Sequence, residues 1–168
     1  MPLSMYAASV PRFVHMLNNL SVLLDKTQAH IDAKKLDPAA LTTARLFPDM
    51  FHLARQVQVA CDLAKGAAAR LGGVDVPKHE DTELTIPELK ARIAKTIAFI
   101  ESVPQAAIDA SADRDITLKL GKQDYTFKGM QYLLNYAQPN FYFHVTTAYN
   151  ILRHNGVELG KKDFNGSF

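Results

Sequence analysis

PDMFHLARQVQVACDLAKGAAARLGG, residues 48–73, is the stretch from which the fold is read. Met50, Ala54, Val57, Cys61, Ala64, Ala68 and Leu71 recur at three- and four-residue steps, and Leu53, Ala60 and Ala67 widen one side of the stripe. That period lays an apolar face along a helix. Pro48 fits a helix's first turn, where its missing N–H costs nothing, and Asp49 faces the positive end of the dipole; Gly72-Gly73 ends the segment. The spacing therefore predicts a helix starting near Pro48. Small residues dominate its seam, so a neighbouring helix can approach closely, and the segment is expected to be central and tightly packed.

Outward from it, Tyr6, Val10, Phe13, Leu17, Leu20 and Leu24 form a stripe at 4-3-4-3-4 spacing that predicts a first helix fading near Ile31. Asp37-Pro38 reopens the chain, with a short helical lead-in over 39–47. Thr85-Ile86-Pro87-Glu88 reads as a capping box opening a third helix, striped by Ile86, Leu89, Ile93, Ile97 and Ile100 and kinked or ended by Pro104. The period then changes to two. Ile116, Leu118 and Leu120 alternate with Thr117 and Lys119, residues 121–124 form a turn, and Tyr125 and Phe127 follow, which predicts a hairpin. A last helix runs from about Gly129 to the Asn155-Gly156 stop, and the final twelve residues read as an irregular tail. The expected fold is all-α, a four-helix bundle with a small β-hairpin inserted before the last helix, forming one domain over residues 1–168.

Composition narrows the function. The 168 residues are 48% hydrophobic and 21% charged, enough apolar material for a core. A net charge of +2 gives no field that implies nucleic acid. No window reaches ~20 uninterrupted apolar residues, residues 1–6 lack a signal-like segment, and the single Cys61 needs no oxidising compartment. A soluble cytoplasmic protein with no nucleic-acid or membrane partner is expected.

Chemistry is sought where polar residues interrupt apolar stripes. At about 100° per residue, Met130, Leu133, Ala137, Asn140, Phe141, His144, Ala148 and Ile151 share one face of the last helix. Asn140 and His144 lie one turn apart on it, and burying either without a partner would cost about 1–3 kcal/mol. Gln56 falls in the apolar sector of the second helix, with His52 one turn earlier at its edge. Two readings follow. One is a site between the second and last helices, made by His52 or Gln56 with Asn140 and His144 and bordered by Tyr136 and Phe141. The other is a core histidine satisfied by Gln56 or a tyrosine hydroxyl. No HExxH, CxxC or paired-carboxylate spacing is present. Tyr132, Tyr136, Phe141, Tyr142, Phe143 and Tyr149 exceed what one buried face holds, which points either to a homodimer or to tyrosines packed under the hairpin. Cys61 reads as an inert core thiol, and His15, His30, His79 and His154 as solvated surface residues. Ser9 and Ser21 have no base at useful spacing.

The run Pro139-Asn140-Phe141-Tyr142-Phe143-His144-Val145-Thr146-Thr147-Ala148-Tyr149, with Leu152-Arg153-His154-Asn155-Gly156 after it, resembles a bacterial family of unknown function. Pro48-Asp49-Met50-Phe51, Gln56-Val57 and Gly160-Lys161-Lys162-Asp163-Phe164 carry the same resemblance. That family lies within the DinB/YfiT-like superfamily, whose metal-dependent transferases and hydrolases commonly hold a divalent ion with three histidines. The resemblance implies a helical bundle, often dimeric, and a site between the second and last helices. It places His144 at one ligand position and Asn140 at another that is usually histidine, with His52 as the second imidazole and Gln56 as a weak oxygen donor. Zinc, nickel or manganese would be the cofactor of such a site. The alternative is a member without catalysis, a small-ligand-binding or interaction module.

Overall fold

The computed structural model describes residues 3–167; Met1, Pro2 and Phe168, which the single-domain and tail expectations include, lie outside the described residues. The chain is mostly helical, with one two-stranded antiparallel sheet among the described residues. Helix α1 (Met5–Ala8) is one turn, followed by α2 (Val10–Lys34). The sequence predicts one continuous helix here, but Pro11 has no N–H to donate and its ring crowds the preceding turn. The break falls at Ser9, whose Oγ donates to Met5 O at 2.7 Å. Helix α3 (Pro38–Thr42) follows Asp37, whose carboxylate accepts from Ala39 N at 2.9 Å.

The central helix α4 (Leu53–Gly72) starts five residues later than the Pro48 reading predicts. Met50 N donates to Phe47 O at 3.0 Å and Leu53 N to Ala44 O at 2.9 Å, so residues 44–52 loop back instead of extending the helix. The cap is supplied by His52. Helix α5 (Ile86–Ser102) opens with the predicted capping box: Glu88 Oε2 accepts from Thr85 N at 2.9 Å, and Thr85 Oγ1 accepts from Glu88 N. Val103 is forced extended by the proline after it, and Pro104 opens α6 (Gln105–Asp109).

Strands β1 (Asp115–Leu120) and β2 (Gln123–Lys128) pair antiparallel in a register that sets Ile116 opposite Phe127. The turn is shorter than expected, because Gln123 and Asp124 already belong to β2. Gly121 takes φ 64° and Lys122 does not turn positive, the pattern of a II′ turn matched to strand twist.

After α7 (Gly129–Gln131) the chain is π-helical over Tyr132–Ala137, then becomes α8 (Gln138–His154). Pro139 explains the wide turn: it cannot donate and would clash with the carbonyl four residues back, so Gln138 N–H reaches Leu133 O instead. The wide turn also rotates everything before it. Met130, predicted on the buried face, is 50% exposed, while Tyr132 is 1% exposed.

The tail is more ordered than predicted. Val157 and Leu159 are buried, and α9 (Lys161–Asn165) docks on α2. Asn19 Nδ2 donates to Phe164 O at 3.0 Å, His15 Nε2 bonds Asn165 O at 2.7 Å, and Lys26 pairs with Asp163 at 2.6 Å. His15 is thus a tail contact and not a solvated surface residue. Helix α4 packs against α5 and α8, and α2 covers α5, around a core that includes Phe13, Leu17, Leu20, Leu53, Val57, Leu89, Ile93 and Phe141.

The strand-to-helix junction allows no side chain. A Cβ on Gly129 would overlap the Ser111 carbonyl, while Met130 N donates to Ala112 O at 2.9 Å. Gly129→Ala should therefore destabilise the fold by about 1–3 kcal/mol. Denaturant titration showing an unchanged midpoint would contradict this.

Candidate functional site

Helix α4 places its polar side chains at the start. His52 is the N-cap of α4, and its Nδ1 accepts from Arg55 N at 3.3 Å. That lone pair satisfies one of the orphan N–H groups of the first turn, so it is committed to the backbone. One turn on, Gln56 is buried, and its Nε2 donates to Phe51 O at 3.0 Å. This bond fixes the amide orientation. Oε1 then faces His144 Nδ1 at 2.7 Å, which requires the Nδ1 nitrogen to carry the proton. The remaining lone pair of His144 sits on Nε2.

His144 is half-buried, with Phe51 stacked near its ring at 6.5 Å between centroids and Phe143 edge-on at 5.3 Å. Burial holds its pKa below the ordinary imidazole value, and the Arg55 charge acts in the same direction. The pair is therefore neutral near pH 7 and self-satisfied, as a core histidine bonded to Gln56 would be.

The other candidate residues point elsewhere. Asn140 Nδ2 donates to Tyr136 O at 2.7 Å, a carbonyl inside the π-helical stretch, so its amide serves the backbone. Phe141 is fully buried and packs edge-on against Phe13 at 4.9 Å. Tyr136 is half-buried and stacks on Tyr132 at 5.9 Å, with Phe127 of the hairpin against both. Of the aromatic run, only Phe143 is largely exposed; Tyr149 leans on Phe164 of the tail. Cys61 is fully buried, and its thiol pKa is pushed up to about 12 by burial, which leaves it protonated and inert.

The donor set does not match a three-imidazole metal site. His52 and Asn140 are both bonded to backbone, and among the described residues no group of three or more His, Cys, Asp or Glu side chains converges as metal ligands would. His144 and Gln56 do meet, as the interrupted stripes indicate.

Two features are invisible in the stripes. Arg92 of α5 is buried, with its guanidinium 2.9 Å from Asp62, 3.0 Å from Asp81 and 3.1 Å from Glu83. Lys65 joins Asp62 at 2.8 Å, and Gln58 donates to Glu83 at 3.0 Å. The only sequence signal is Arg92 standing between Leu89 and Ile93 in a buried stripe. The second feature is a cavity of about 500 Å³ between α4 and the hairpin, lined by Arg55, Val59, Asp62, Arg70, Leu118, Tyr132 and Tyr136 among others. Of the site residues proposed from sequence, His52, Gln56, Tyr136, Asn140, Phe141 and His144, Tyr136 alone lines it.

The family model described as a domain of unknown function, DUF1993, matches residues 5–165, and the chain belongs to that bacterial DinB-like family. It is 44% identical to a DinB family member protein from Shewanella denitrificans whose crystal structure superposes with a TM-score of 0.90, covering 97% of this chain and 92% of that one. A comparison with curated proteins finds no match. Among the described residues no helix is long and apolar enough to cross a membrane.

The neutral state of His144 has a pH consequence. Its folded pKa lies below the 6.5 of the unfolded side chain, so the folded protein binds fewer protons. Stability from this group is full above pH 6.5 and is lost as pH falls below it. Unfolding free energies at pH 7.5 and 5.5 should fall more for the native chain than for His144→Gln. An equal loss in both would contradict the assignment.

Proposed function

We propose that the protein is a small-ligand-binding member of its family, a helical bundle whose binding site is the cavity between α4 and the hairpin. In this reading His144 is a neutral core imidazole and not a metal anchor. The cavity carries the proposal: about 500 Å³ falls within the ~300–1,000 Å³ range of small-molecule sites, and its largely polar lining brings Arg55, Asp62, Arg70 and two tyrosines to one place. The commitment of His52 to the backbone argues against the reading as a metal-dependent transferase or hydrolase: with Nδ1 accepting from Arg55 N, the neutral ring carries its proton on Nε2 and would have to give up that cap to serve zinc, nickel or manganese. The one observation on that side is the lone pair of His144 Nε2, because a ligating histidine usually donates its other nitrogen's proton to an oxygen. A lone buried thiol suits a reducing, cytoplasmic setting.

Tag-free protein should contain no stoichiometric metal by elemental analysis, and its melting temperature should not move with zinc, nickel or manganese. One equivalent of metal, lost in His144→Ala, would restore the metalloenzyme reading. A thermal-shift screen of small metabolites should give stabilising hits for the native chain that disappear in Leu120→Trp, which fills the cavity from the hairpin side. Hits unaffected by that substitution would place binding elsewhere.

The proposal includes a homodimer, supported by Phe51 and Phe143, which flank His144 and are 49% and 55% exposed. Sedimentation of the native chain should show a dimer that Phe143→Ser weakens. A monomer at every concentration would remove it.

A further inference from the structure

We infer that the cavity between α4 and the hairpin recognises a small organic anion, a carboxylate or phosphate monoester on a flat apolar body, through Arg70. The inference rests on the ligand-binding reading above and names the ligand's chemistry.

The argument begins with charge. Arg55 pairs with Asp81, and Arg92 with three carboxylates, so both are neutralised within the fold. Asp62 also faces the cavity, but its Oδ1 is held by Arg92 and Lys65, and Lys119 of β1 lines it too but is exposed, its charge met by water. Arg70 differs. It is half-buried, its Nη1 donates to Tyr132 Oη at 3.3 Å, and no carboxylate pairs with it among the described residues. A guanidinium removed from much of its water without a counter-ion is an electrostatic gap that an anion fills.

The backbone makes room for this arrangement. A Cβ on Gly66 would collide with Arg70 Nη1, so the guanidinium lies folded over the preceding turn of α4. Glycine inside a helix is disfavoured relative to alanine, and here it clears the space that the guanidinium occupies. The planar fork of arginine presents paired N–H donors suited to carboxylate or phosphate oxygens. Beside it, Tyr132 and Tyr136 stack at 5.9 Å and 21°, and Val59 and Leu118 add apolar wall, which suits a planar hydrophobic body.

The test is calorimetric titration of the full chain with benzoate, phenyl phosphate and neutral benzamide, each also against Arg70→Gln, Gly66→Ala and Leu120→Trp. At least one anion should bind tenfold or more tightly than benzamide, and the tighter of the two identifies the headgroup. Arg70→Gln should remove that preference. Gly66→Ala should weaken the anion to a similar extent while keeping or raising the melting temperature, because alanine favours the helix and only the guanidinium is displaced. That combination is not the signature of a variant that has merely lost stability. If benzamide binds as tightly as the anions, and Leu120→Trp abolishes all three, the anion inference fails while the ligand-binding reading stands. If Leu120→Trp changes nothing, or no probe binds, both fail. Unchanged anion affinity in folded Arg70→Gln and Gly66→Ala would overturn the role of Arg70 alone and with it the inference.

Discussion

Helix α4 is covered on nearly every side, with 15 of its 20 residues buried, and the geometry of the rest of the molecule follows from how it is covered. Its alanines and glycines, which contribute little transfer free energy individually, let α5 and α8 come close enough for the larger side chains of those helices to supply the core. Gly72 shows how little slack remains: a Cβ there would overlap the Val103 side chain. Such a helix has only a narrow, partly solvated face, along Arg55, Val59, Asp62 and Arg70, on which to put polar side chains. Gln56, Gln58 and Lys65 are all buried, and each must find a partner inside the protein.

The legible part of the fold is the part that repeats. Stripes of period near 3.6 marked the four long helical segments and the period of two marked the hairpin, because burial acts on residues spaced by the backbone itself. The departures within the helices come from local backbone constraints. Pro11 splits the first helix, and the loop ending at His52 delays the start of α4. Pro139 widens one turn into a π-helix, which rotated Met130 out of the core and Tyr132 into it. A constant 100° per residue cannot carry such a phase shift. The tail was misjudged for a different reason: its helix is short, and its order comes from long-range bonds to His15, Asn19 and Lys26.

The candidate site divides the same way. Gln56 and His144 were legible because each interrupts a stripe, and two interruptions on neighbouring helices tend to meet. Asn140 interrupts the same stripe, yet it pairs with its own backbone, four residues back, where the π-helix leaves Tyr136 O accepting a side-chain donor. Spacing alone cannot distinguish these outcomes. The Arg92 network and Arg70 were hidden more deeply. Asp81 and Glu83 lie in the loop before α5, and no helical periodicity links them to Asp62. Arg70, basic and in the last turn of α4, looks in sequence like any charge placed to suit the helix dipole.

The electrostatics of α4 then separate into three surroundings. Toward α8 the polar contact is neutral, an imidazole and an amide that need no counter-charge. Around Arg92 of α5 the charges are many but close on one another, cations and carboxylates within hydrogen-bonding distance. Both arrangements balance their charge without a ligand, although Arg92 Nε itself has no hydrogen-bond partner, and removing one member of either would leave a further buried group unsatisfied. Toward the hairpin, Arg70 has a tyrosine hydroxyl and a cavity in place of a carboxylate. A tyrosine hydroxyl offers a dipole and no compensating charge, and burial pushes Tyr132 further from ionising, with Arg70 pulling against it. The charge of Arg70 is thus met neither by an ionised neighbour nor by full solvation. Where two surroundings of one helix are closed and the third is not, the third is where binding has the most electrostatic free energy to gain.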